Sequence, residues 1–215
     1  MTRIAVLGGT GYAGSAVVGE AAMRGHRVTA FSRRPPAEPV VGVDYVTGSL
    51  LDQEVLRRAV SAGDVVFEAL SPRGDMAGKV EPVFEELLAL AEAAGTRLGV
   101  LGGASSLLVA PGGPRLLDTA PPAPPEVQQE IDLGIWKLDR LRAAGSVLDW
   151  FYVSPAAEFG AWVPSEVTGQ YRLSDDVLLT NADGKSEISA ADLALAVLDE
   201  IEQPAHNRRR FHVAH

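Results

Sequence analysis

The sequence contains no cysteine, which excludes disulfide bonds, thiolate metal ligands and cysteine nucleophiles. It also contains no apolar run close to the roughly 20 residues that a membrane-spanning helix needs. Positive charge is scarce, because 19 Lys and Arg stand against 28 Asp and Glu and leave a net charge of −9. We therefore expect no membrane insertion and no nucleic-acid partner.

The first residues also lack the pattern of a secretory signal, because Met1 to Ile4 pass directly into a strand-like run. Together with the missing cysteine, this predicts a cytoplasmic protein. The one basic run, residues 208–210, precedes a short terminal strand and is expected to be solvated. A chain of 215 residues, 47% of them hydrophobic, fits a single domain over residues 1–215.

Short apolar runs alternate with stretches of helical period along most of the chain. The pattern predicts strands at 4–7, 28–31, 45–47, 64–70, 98–101 and 150–153, and helices at 12–24, 52–61, 79–94 and 127–144. Such alternation requires right-handed crossovers and a parallel sheet with helices on both faces. We expect an α/β fold of the doubly wound, Rossmann type.

Two segments interrupt this alternation. Residues 110–126 contain six prolines and two glycines and predict a long loop past the end of the fifth strand, above the expected ligand crevice. Residues 155–186 are rich in Gly, Ser, Asp and aromatic residues, which favours a small C-terminal cap on the substrate side, with short strands at 171–173 and 178–179. Ser189 is then expected to cap the last helix.

A glycine-rich turn joins the first strand to the first helix. Gly8, Gly11 and Gly14 recur at the spacing of a dinucleotide-binding turn, with Thr10 and Tyr12 between them. Glycine permits the tight turn, lets backbone N–H groups approach a pyrophosphate, and lets the helix pack closely. The pyrophosphate would lie at the positive end of the helix dipole, so this turn predicts an NAD(P) site.

The end of the second strand favours one cofactor over the other. A site for NAD usually has an acid about 20 residues past the glycines, whereas this chain has Ser32, Arg33 and Arg34 there. Two guanidiniums beside a hydroxyl suit a 2′-phosphate, so NADPH is expected to bind better than NADH. Farther along, Ser49 and Leu50 are expected beside the adenine. The next strand end, with Ala69, Leu70 and Ser71, is expected beside the nicotinamide ribose.

The motifs resemble the atypical short-chain dehydrogenases/reductases. Within that group they are similar to the NAD(P)H-binding family of NADH-flavin reductase type, which is related to NmrA-like proteins and biliverdin reductase B. Besides the glycine turn, residues 102–107, 148–159, 183–186 and 210–211 carry the resemblance. It implies a nicotinamide site at the ends of strands four to six, which places Gly103, Ala104, Ser154, Pro155 and Ala156 at the cofactor.

The chain departs from the superfamily at the catalytic pair Tyr-x-x-x-Lys. Four residues after its tyrosines lie Ala16, Ser49, Ala156 and Asp175, and none is a lysine. Lys137 lies near the position of the active-site lysine in related proteins, and Ser105 near that of the active-site serine. Ser105, with Ser106 behind it, would either bond the substrate carbonyl or the carboxamide, or satisfy the local backbone. The candidate catalytic residues are therefore Ser105 and Lys137.

These features favour an NADPH-dependent reductase that transfers hydride to a planar, electron-poor acceptor such as a flavin or a quinone. A redox-sensing regulator that binds NAD(P) without turnover is the alternative, because the usual acid is missing. The same absence disfavours a sugar-nucleotide epimerase or dehydratase. The four histidines are scattered without ligand spacing, so no metal site is expected. The sequence is compatible with a homodimer but does not determine the oligomeric state.

Overall fold

The computed structural model describes residues 1–163 and 165–215, and its strands form one eight-stranded sheet in the order β3-β2-β1-β4-β5-β6-β8-β7. The strands are β1 Arg3–Leu7, β2 Arg27–Ser32, β3 Asp44–Thr47, β4 Val65–Glu68, β5 Arg97–Leu101, β6 Trp150–Ser154, β7 Arg172–Ser174 and β8 Arg209–Ala214. The helices are α1 Tyr12–Met23, α2 Gln53–Ala62, α3 Val80–Ala94, α4 Leu116–Thr119, α5 Pro125–Ala143 and α6 Ala190–Glu202.

The predicted doubly wound Rossmann-type fold is confirmed. β1 lies in the middle of the sheet and pairs in parallel with β2 on one side and β4 on the other, so the chain winds outward in both directions from it. The chain segments that leave the carboxyl ends of β1 and β4 therefore run in opposite directions, and this place is a topological switch point. A crevice for a ligand is expected at that point in open α/β sheets.

Alternating side chains of the central strands pack into two separate cores. Ile4 and Val6 of β1 face α1 and α6, whereas Ala5 and Leu7 face α2, α3 and α5. Both faces of the strand are apolar because both are covered, which explains why the strands appear in the sequence as continuous apolar runs. The carboxyl edge of the sheet is left open for a site.

The C-terminal part of the sheet differs from the expectation in detail. The strand expected at 171–173 is Arg172–Ser174, and it joins the main sheet as an antiparallel neighbour of β8. Residues 178–179 form no strand, although the Leu178 N–H donates to the Leu108 carbonyl at 2.8 Å. Residues 155–162 of the expected cap segment lie over the carboxyl edge of the sheet, beside the glycine turn.

The interpretation of residues 208–210 as a solvated basic run is wrong for Arg210, whereas Arg209 is exposed and Arg208 half-buried. Arg210 lies in β8 and is only 7% exposed. Its guanidinium pairs with Asp176, and its Nη1 donates to Ser106 Oγ at 2.8 Å. The reason lies in the tertiary structure, because residues that follow β5 and β7, Ser106 and Asp176, supply the partners of this guanidinium.

The proline-rich loop is more ordered than expected. It contains the one-turn helix α4, and α5 already begins at Pro125, a position that favours proline because the first helical N–H has no partner. The Leu108–Arg115 bridge closes the first part of the loop. Among the described residues, no helix is long and apolar enough to cross a bilayer.

The expected cap at Ser189 is confirmed, and it belongs to a larger cluster around Asp192. Ser189 Oγ accepts from the Asp192 N–H at 3.0 Å and donates to the Asp192 carboxylate at 2.7 Å. That carboxylate, fully buried, also accepts from the N–H groups of Thr168 and Gly169 and lies 2.8 Å from His215 Nε2. Burial opposes its ionisation, but the hydrogen bonds outweigh burial and lower the pKa of Asp192.

We predict that Asp192→Asn lowers the free energy of unfolding by about 1.5–3 kcal/mol at pH 7, because charge-assisted hydrogen bonds are lost. The pKa of Asp192 is depressed in the folded state, so this stabilisation is present above the unfolded value of about 4. It is lost as the pH falls through the folded value. Urea unfolding at several pH values measures the difference.

The matched control for this measurement is Asp183→Asn, at an exposed turn position. It is expected to change the free energy of unfolding by less than about 0.5 kcal/mol. An Asp192→Asn effect that stays constant from pH 7 to pH 3 would contradict the assignment.

Candidate functional site

The principal cavity has a volume of about 520 Å³ and opens at the carboxyl edge of the sheet, where the topology predicts a ligand crevice. Five segments line it: 11–14 of the glycine turn, 69–73 after β4, 101–105 at the end of β5, 127–137 of α5, and 155–162 after β6. Leu116 of α4 completes the wall, so the proline-rich loop reaches the cavity.

The glycine turn packs too closely for any side chain at two positions. A Cβ at Gly14 would lie 2.2 Å from the Gly8 carbonyl oxygen, and a Cβ at Gly8, whose φ is +82°, would lie 2.7 Å from the Ala69 oxygen. Gly11 begins α1 without a capping side chain in the described structure. The N–H groups of the first turn therefore stay available to an anion at the positive end of the helix. The turn fits a dinucleotide pyrophosphate.

The end of β2 holds the residues expected to select the cofactor. Ser32 Oγ donates to the Arg34 carbonyl at 2.6 Å and so fixes the turn, while the Arg33 guanidinium pairs with Asp75 and Arg34 is exposed. A second cavity, of about 410 Å³, lies between this turn and the glycine turn. Its lining residues are Gly9, Thr10, Ser15, Pro35, Pro36, Ala37, Glu38, Val40 and Tyr45.

Ser49 and Leu50, expected beside the adenine, line neither cavity. Leu50 is buried in the core on the α2 side, and Ser49 Oγ accepts from the Leu51 N–H at 3.3 Å. Ser154, expected at the nicotinamide, is also absent from the cavity wall. It is fully buried, its carbonyl lies 3.0 Å from His212 Nδ1, and its Oγ has no partner in the described part of the chain.

The other residues expected at the nicotinamide are brought together at the cavity: Ala69, Leu70, Ser71, Gly103, Ala104, Pro155 and Ala156. Ser105 lines the cavity beside them, and its carbonyl accepts from the Leu117 N–H at 2.9 Å. Ser106 does not line it, because its hydroxyl is bound by Arg210. Of the two candidate serines, only Ser105 is placed to contact a ligand.

Tyr152 contacts the chain just after the carboxyl end of β5, but its hydroxyl is not placed to donate a proton to a ligand. Its hydroxyl donates to the Gly134 carbonyl at 2.8 Å and accepts from the Gly103 N–H at 3.3 Å. Burial raises the pKa of Tyr152 above its ordinary value. A Cβ at Gly102 would overlap the Tyr152 ring, so glycine is needed where β5 passes over this side chain.

Lys137 extends from α5 into the wall of the cavity, and its partner is a residue that the sequence analysis did not select. Lys137 Nζ donates to both carboxylate oxygens of Glu68, at 2.7 and 2.9 Å, and to the Leu70 carbonyl at 3.2 Å. Glu68 is the last residue of β4 and is fully buried. The signal in the sequence that could have identified Glu68 is an acid inside an otherwise apolar strand, since a buried carboxylate requires a partner.

Aromatic and charged side chains surround the mouth of the cavity. The rings of Tyr12 and Phe159 lie 5.2 Å apart, and the Arg73 guanidinium lies 5.4 Å from the centre of the Trp162 ring. Arg73 also pairs with Glu130 of α5. Four chain segments thus meet at the mouth, and their aromatic rings give it flat apolar walls.

We predict that Gly14→Ala weakens binding of NADPH at least tenfold, because the new Cβ would force the Gly8 carbonyl and the glycine turn out of position. Gly19→Ala, on the same helix, is the matched control, since no atom lies within 4 Å of its Cβ position. It should leave binding unchanged and stabilise the helix by up to about 1 kcal/mol. Fluorescence titration and thermal unfolding measure both. Equal affinity in the two variants would contradict the turn's role.

Known proteins are similar to this chain over its whole length. YwnB of Bacillus subtilis (strain 168) is 36% identical over 98% of this chain and 97% of its own. A "putative exported protein" of Burkholderia pseudomallei is 36% identical over 100% of both chains, with a TM-score of 0.83. A "putative NADH-flavin reductase" of Streptococcus pneumoniae TIGR4 is 32% identical, covers 100% of this chain and 99% of its own, and has a TM-score of 0.81.

The match to a family agrees with the geometry of the glycine turn. The model of the NAD(P)H-binding family matches residues 8–204, a span that begins at the first glycine of the turn and ends after α6. It takes in all five segments that line the principal cavity. The chain therefore belongs to the NAD(P)H-binding family, and its cofactor is a nicotinamide dinucleotide.

Proposed function

We propose that the protein is an NADPH-dependent reductase that transfers hydride to a planar acceptor such as a flavin or a quinone. The observation that carries this proposal is a single cavity that begins at the glycine turn and ends between flat apolar walls at Tyr12, Phe159 and Trp162. The name of the Streptococcus pneumoniae relative, an NADH-flavin reductase, is consistent with it. An isoalloxazine or quinone ring fits such walls.

Each part of the cavity has a proposed task. The N–H groups around Gly11 bind the pyrophosphate, and Ser32, Arg33 and Arg34 bind the 2′-phosphate. The segments 69–71, 103–104 and 155–156 enclose the nicotinamide, and the Ser105 hydroxyl donates to its carboxamide or to the acceptor carbonyl. The bound cofactor supplies the hydride, so the protein's contribution is to orient the two rings and exclude water.

A redox-sensing regulator without turnover is the second candidate. It is supported by the placement of the tyrosines: Tyr152 is buried with its hydroxyl engaged, and Tyr12, which lines the cavity, is followed four residues later by Ala16. A protein that only binds NAD(P) needs no proton donor. Turnover with any acceptor distinguishes the two functions.

We propose a cytoplasmic location, because a chain without cysteine gains nothing from an oxidising compartment. The Burkholderia pseudomallei relative is named as exported. Fractionation of cells that express the full-length chain tests the proposal, and recovery outside the cytoplasm would contradict it.

We predict that NADPH binds at least tenfold more tightly than NADH, because each charge-assisted contact to the 2′-phosphate contributes roughly 1.5–3 kcal/mol. Replacing both Arg33 and Arg34 by Ala should remove the preference. Arg3→Ala is the control, since Arg3 begins β1 at the opposite edge of the sheet. Fluorescence titration of both cofactors measures the ratio.

The pairing of Arg33 with Asp75 adds a further comparison to the same titration. Asp75→Asn removes the carboxylate that competes with the phosphate for this guanidinium, so the preference for NADPH should increase. A preference that survives the double Arg replacement would show that other residues bind the 2′-phosphate.

We predict measurable reduction of flavins or quinones and negligible reduction of simple aldehydes. An aldehyde becomes an alkoxide and needs an acid in the transition state, whose absence costs about 10²–10⁴-fold in rate, whereas a conjugated ring spreads the charge. Ser105→Ala should lower kcat with the active acceptor only modestly, and Ser106→Ala should serve as its neighbouring control. NADPH oxidation followed at 340 nm measures all of these rates.

Two results of this assay would contradict the proposed function in different ways. Efficient aldehyde reduction would mean that the cavity holds a proton donor, with Ser105 and Lys137 the first residues to replace. Tight NADPH binding without turnover on any acceptor would favour the regulator.

A further inference from the structure

A buried ion pair lies directly behind the wall of the cavity, in the middle of the sheet. Glu68 is fully buried at the carboxyl end of β4, where it pairs with Leu7 of β1 and Val100 of β5. Lys137 of α5 is 2% exposed, and its Nζ lies 2.7 and 2.9 Å from the two carboxylate oxygens. The pair joins the central strands to the helix that forms one side of the cavity.

The pair also holds the backbone of Leu70, two residues after Glu68. The Leu70 N–H donates to Glu68 Oε1 at 2.9 Å, and the Leu70 carbonyl accepts from Lys137 Nζ at 3.2 Å. An ammonium has three N–H donors, and three acceptors in the described structure are in contact with Nζ. The N–H donors of Lys137 are therefore directed at Glu68 and Leu70, and none is directed at a hydride-accepting substrate in the cavity.

This backbone segment connects the ion pair to the glycine turn. Ala69 and Ser71, on either side of Leu70, line the cavity. The Ala69 N–H donates to the Leu7 carbonyl at 3.0 Å, and the Ala69 oxygen lies where a Cβ on Gly8 would be only 2.7 Å away. The segment 69–71 is thus held by hydrogen bonds to the ion pair and by its close contact with the glycine turn.

Stability alone does not account for an ion pair at this place. Removing two charges from water costs as much as their attraction returns, and well-packed neutral residues often serve a buried position equally well. This pair binds both the N–H and the carbonyl of Leu70, so it fixes the orientation of that residue's backbone. Apolar side chains at positions 68 and 137 would make neither hydrogen bond. A shift of about 1 Å in a reacting group can lower a rate about 10²-fold.

We propose that Glu68 and Lys137 are positioning residues, which act through Leu70 to fix the segment 69–71 against the nicotinamide. The proposal rests on the function proposed above, because it assigns the pair to the alignment of cofactor and acceptor. It gives Lys137 a role without proton transfer. It also brings Glu68 into the site, although its side chain does not line the cavity.

The test compares Glu68→Gln, Lys137→Met and the double variant. Each single replacement leaves one buried charge unpaired and should lower stability strongly, whereas the double variant should regain much of it. If the pair positions the segment, the double variant should still transfer hydride about 10–100-fold more slowly than the original protein in single-turnover experiments. Its NADPH affinity should stay within a few-fold, since the phosphates are bound at α1.

A second buried ion pair provides the matched control. Arg97 Nη2 lies 2.5 Å from Glu200 Oε1, and Arg97 begins β5 at the edge of the sheet opposite the cavity. The double replacement of Arg97 by Met and Glu200 by Gln should lower stability and leave the single-turnover rate within a few-fold. A control that slows hydride transfer as much as the Glu68–Lys137 variant would overturn the proposal.

Two further outcomes would overturn it. A double variant that regains both stability and rate would show that the pair serves folding only. A rate that falls with Lys137→Met but not with Glu68→Gln, accompanied by a loss of the solvent isotope effect, would make Lys137 a direct proton donor.

The fluorescence lifetime of bound NADPH tests whether the Glu68–Lys137 pair positions the segment 69–71, even if no acceptor is reduced. The lifetime reports the surroundings of the nicotinamide ring and needs no reaction. It should change in the Glu68–Lys137 double variant and not in the Arg97–Glu200 control. An unchanged lifetime in both would overturn the proposal independently of the proposed function.

Discussion

The close approach of three backbone segments is the constraint on which the rest of the site depends. The Gly8 carbonyl lies against Gly14 at the start of α1, and Gly8 itself lies against the Ala69 oxygen at the end of β4. Only glycine permits both contacts, because a Cβ at either position would overlap a backbone oxygen. These contacts set the distance between the N-terminus of α1 and the segment 69–71, and both segments line the cavity. In the proposed function the pyrophosphate lies at the first of them and the nicotinamide at the second.

The electrostatics of the site follow from this placement. Positive charge at the glycine-turn end comes from the N-terminus of α1, from the exposed guanidinium of Arg34 and from that of Arg33, which pairs with Asp75. At the other end, the charged side chains are paired: Lys137 with Glu68, and Arg73 with Glu130. This pairing is consistent with the proposed acceptors, whose own ring system takes up the charge that a localised alkoxide would carry.

Much of the fold could be predicted from the sequence because local patterns determine it. The apolar runs of β1, β4 and β5 are buried on both faces and are therefore continuous in the sequence, and the glycine spacing places the first turn. The burial of Arg210 could not be predicted, since its partners Asp176 and Ser106 lie 34 and 104 positions away in the sequence. A local pattern of three arginines does not show which of them will meet such partners.

The candidate site divides in the same way. Gly8, Gly11 and Gly14 are adjacent in sequence, so their joint role is visible there. The pairing of Glu68 with Lys137 joins residues 69 positions apart, and it becomes visible only when α5 packs on β4. Ser154 illustrates the opposite case, because it precedes Pro155, which lines the cavity, while its own side chain is buried. In a strand or tight turn adjacent side chains point to opposite sides, which proximity in sequence does not resolve.

The placement of the two buried ion pairs separates the demands of folding from those of the site. Arg97 and Glu200 hold α6 to the amino end of β5 and do not line the principal cavity, whereas Glu68 and Lys137 hold α5 to the carboxyl end of β4, beside that cavity. Both pairs are buried, so both carry a desolvation cost that opposes their attraction. The second pair also binds the backbone of Leu70, which lines the cavity. Direction is what we propose this pair to contribute, because hydrogen bonds to a carboxylate and an ammonium fix an orientation that apolar contacts leave loose.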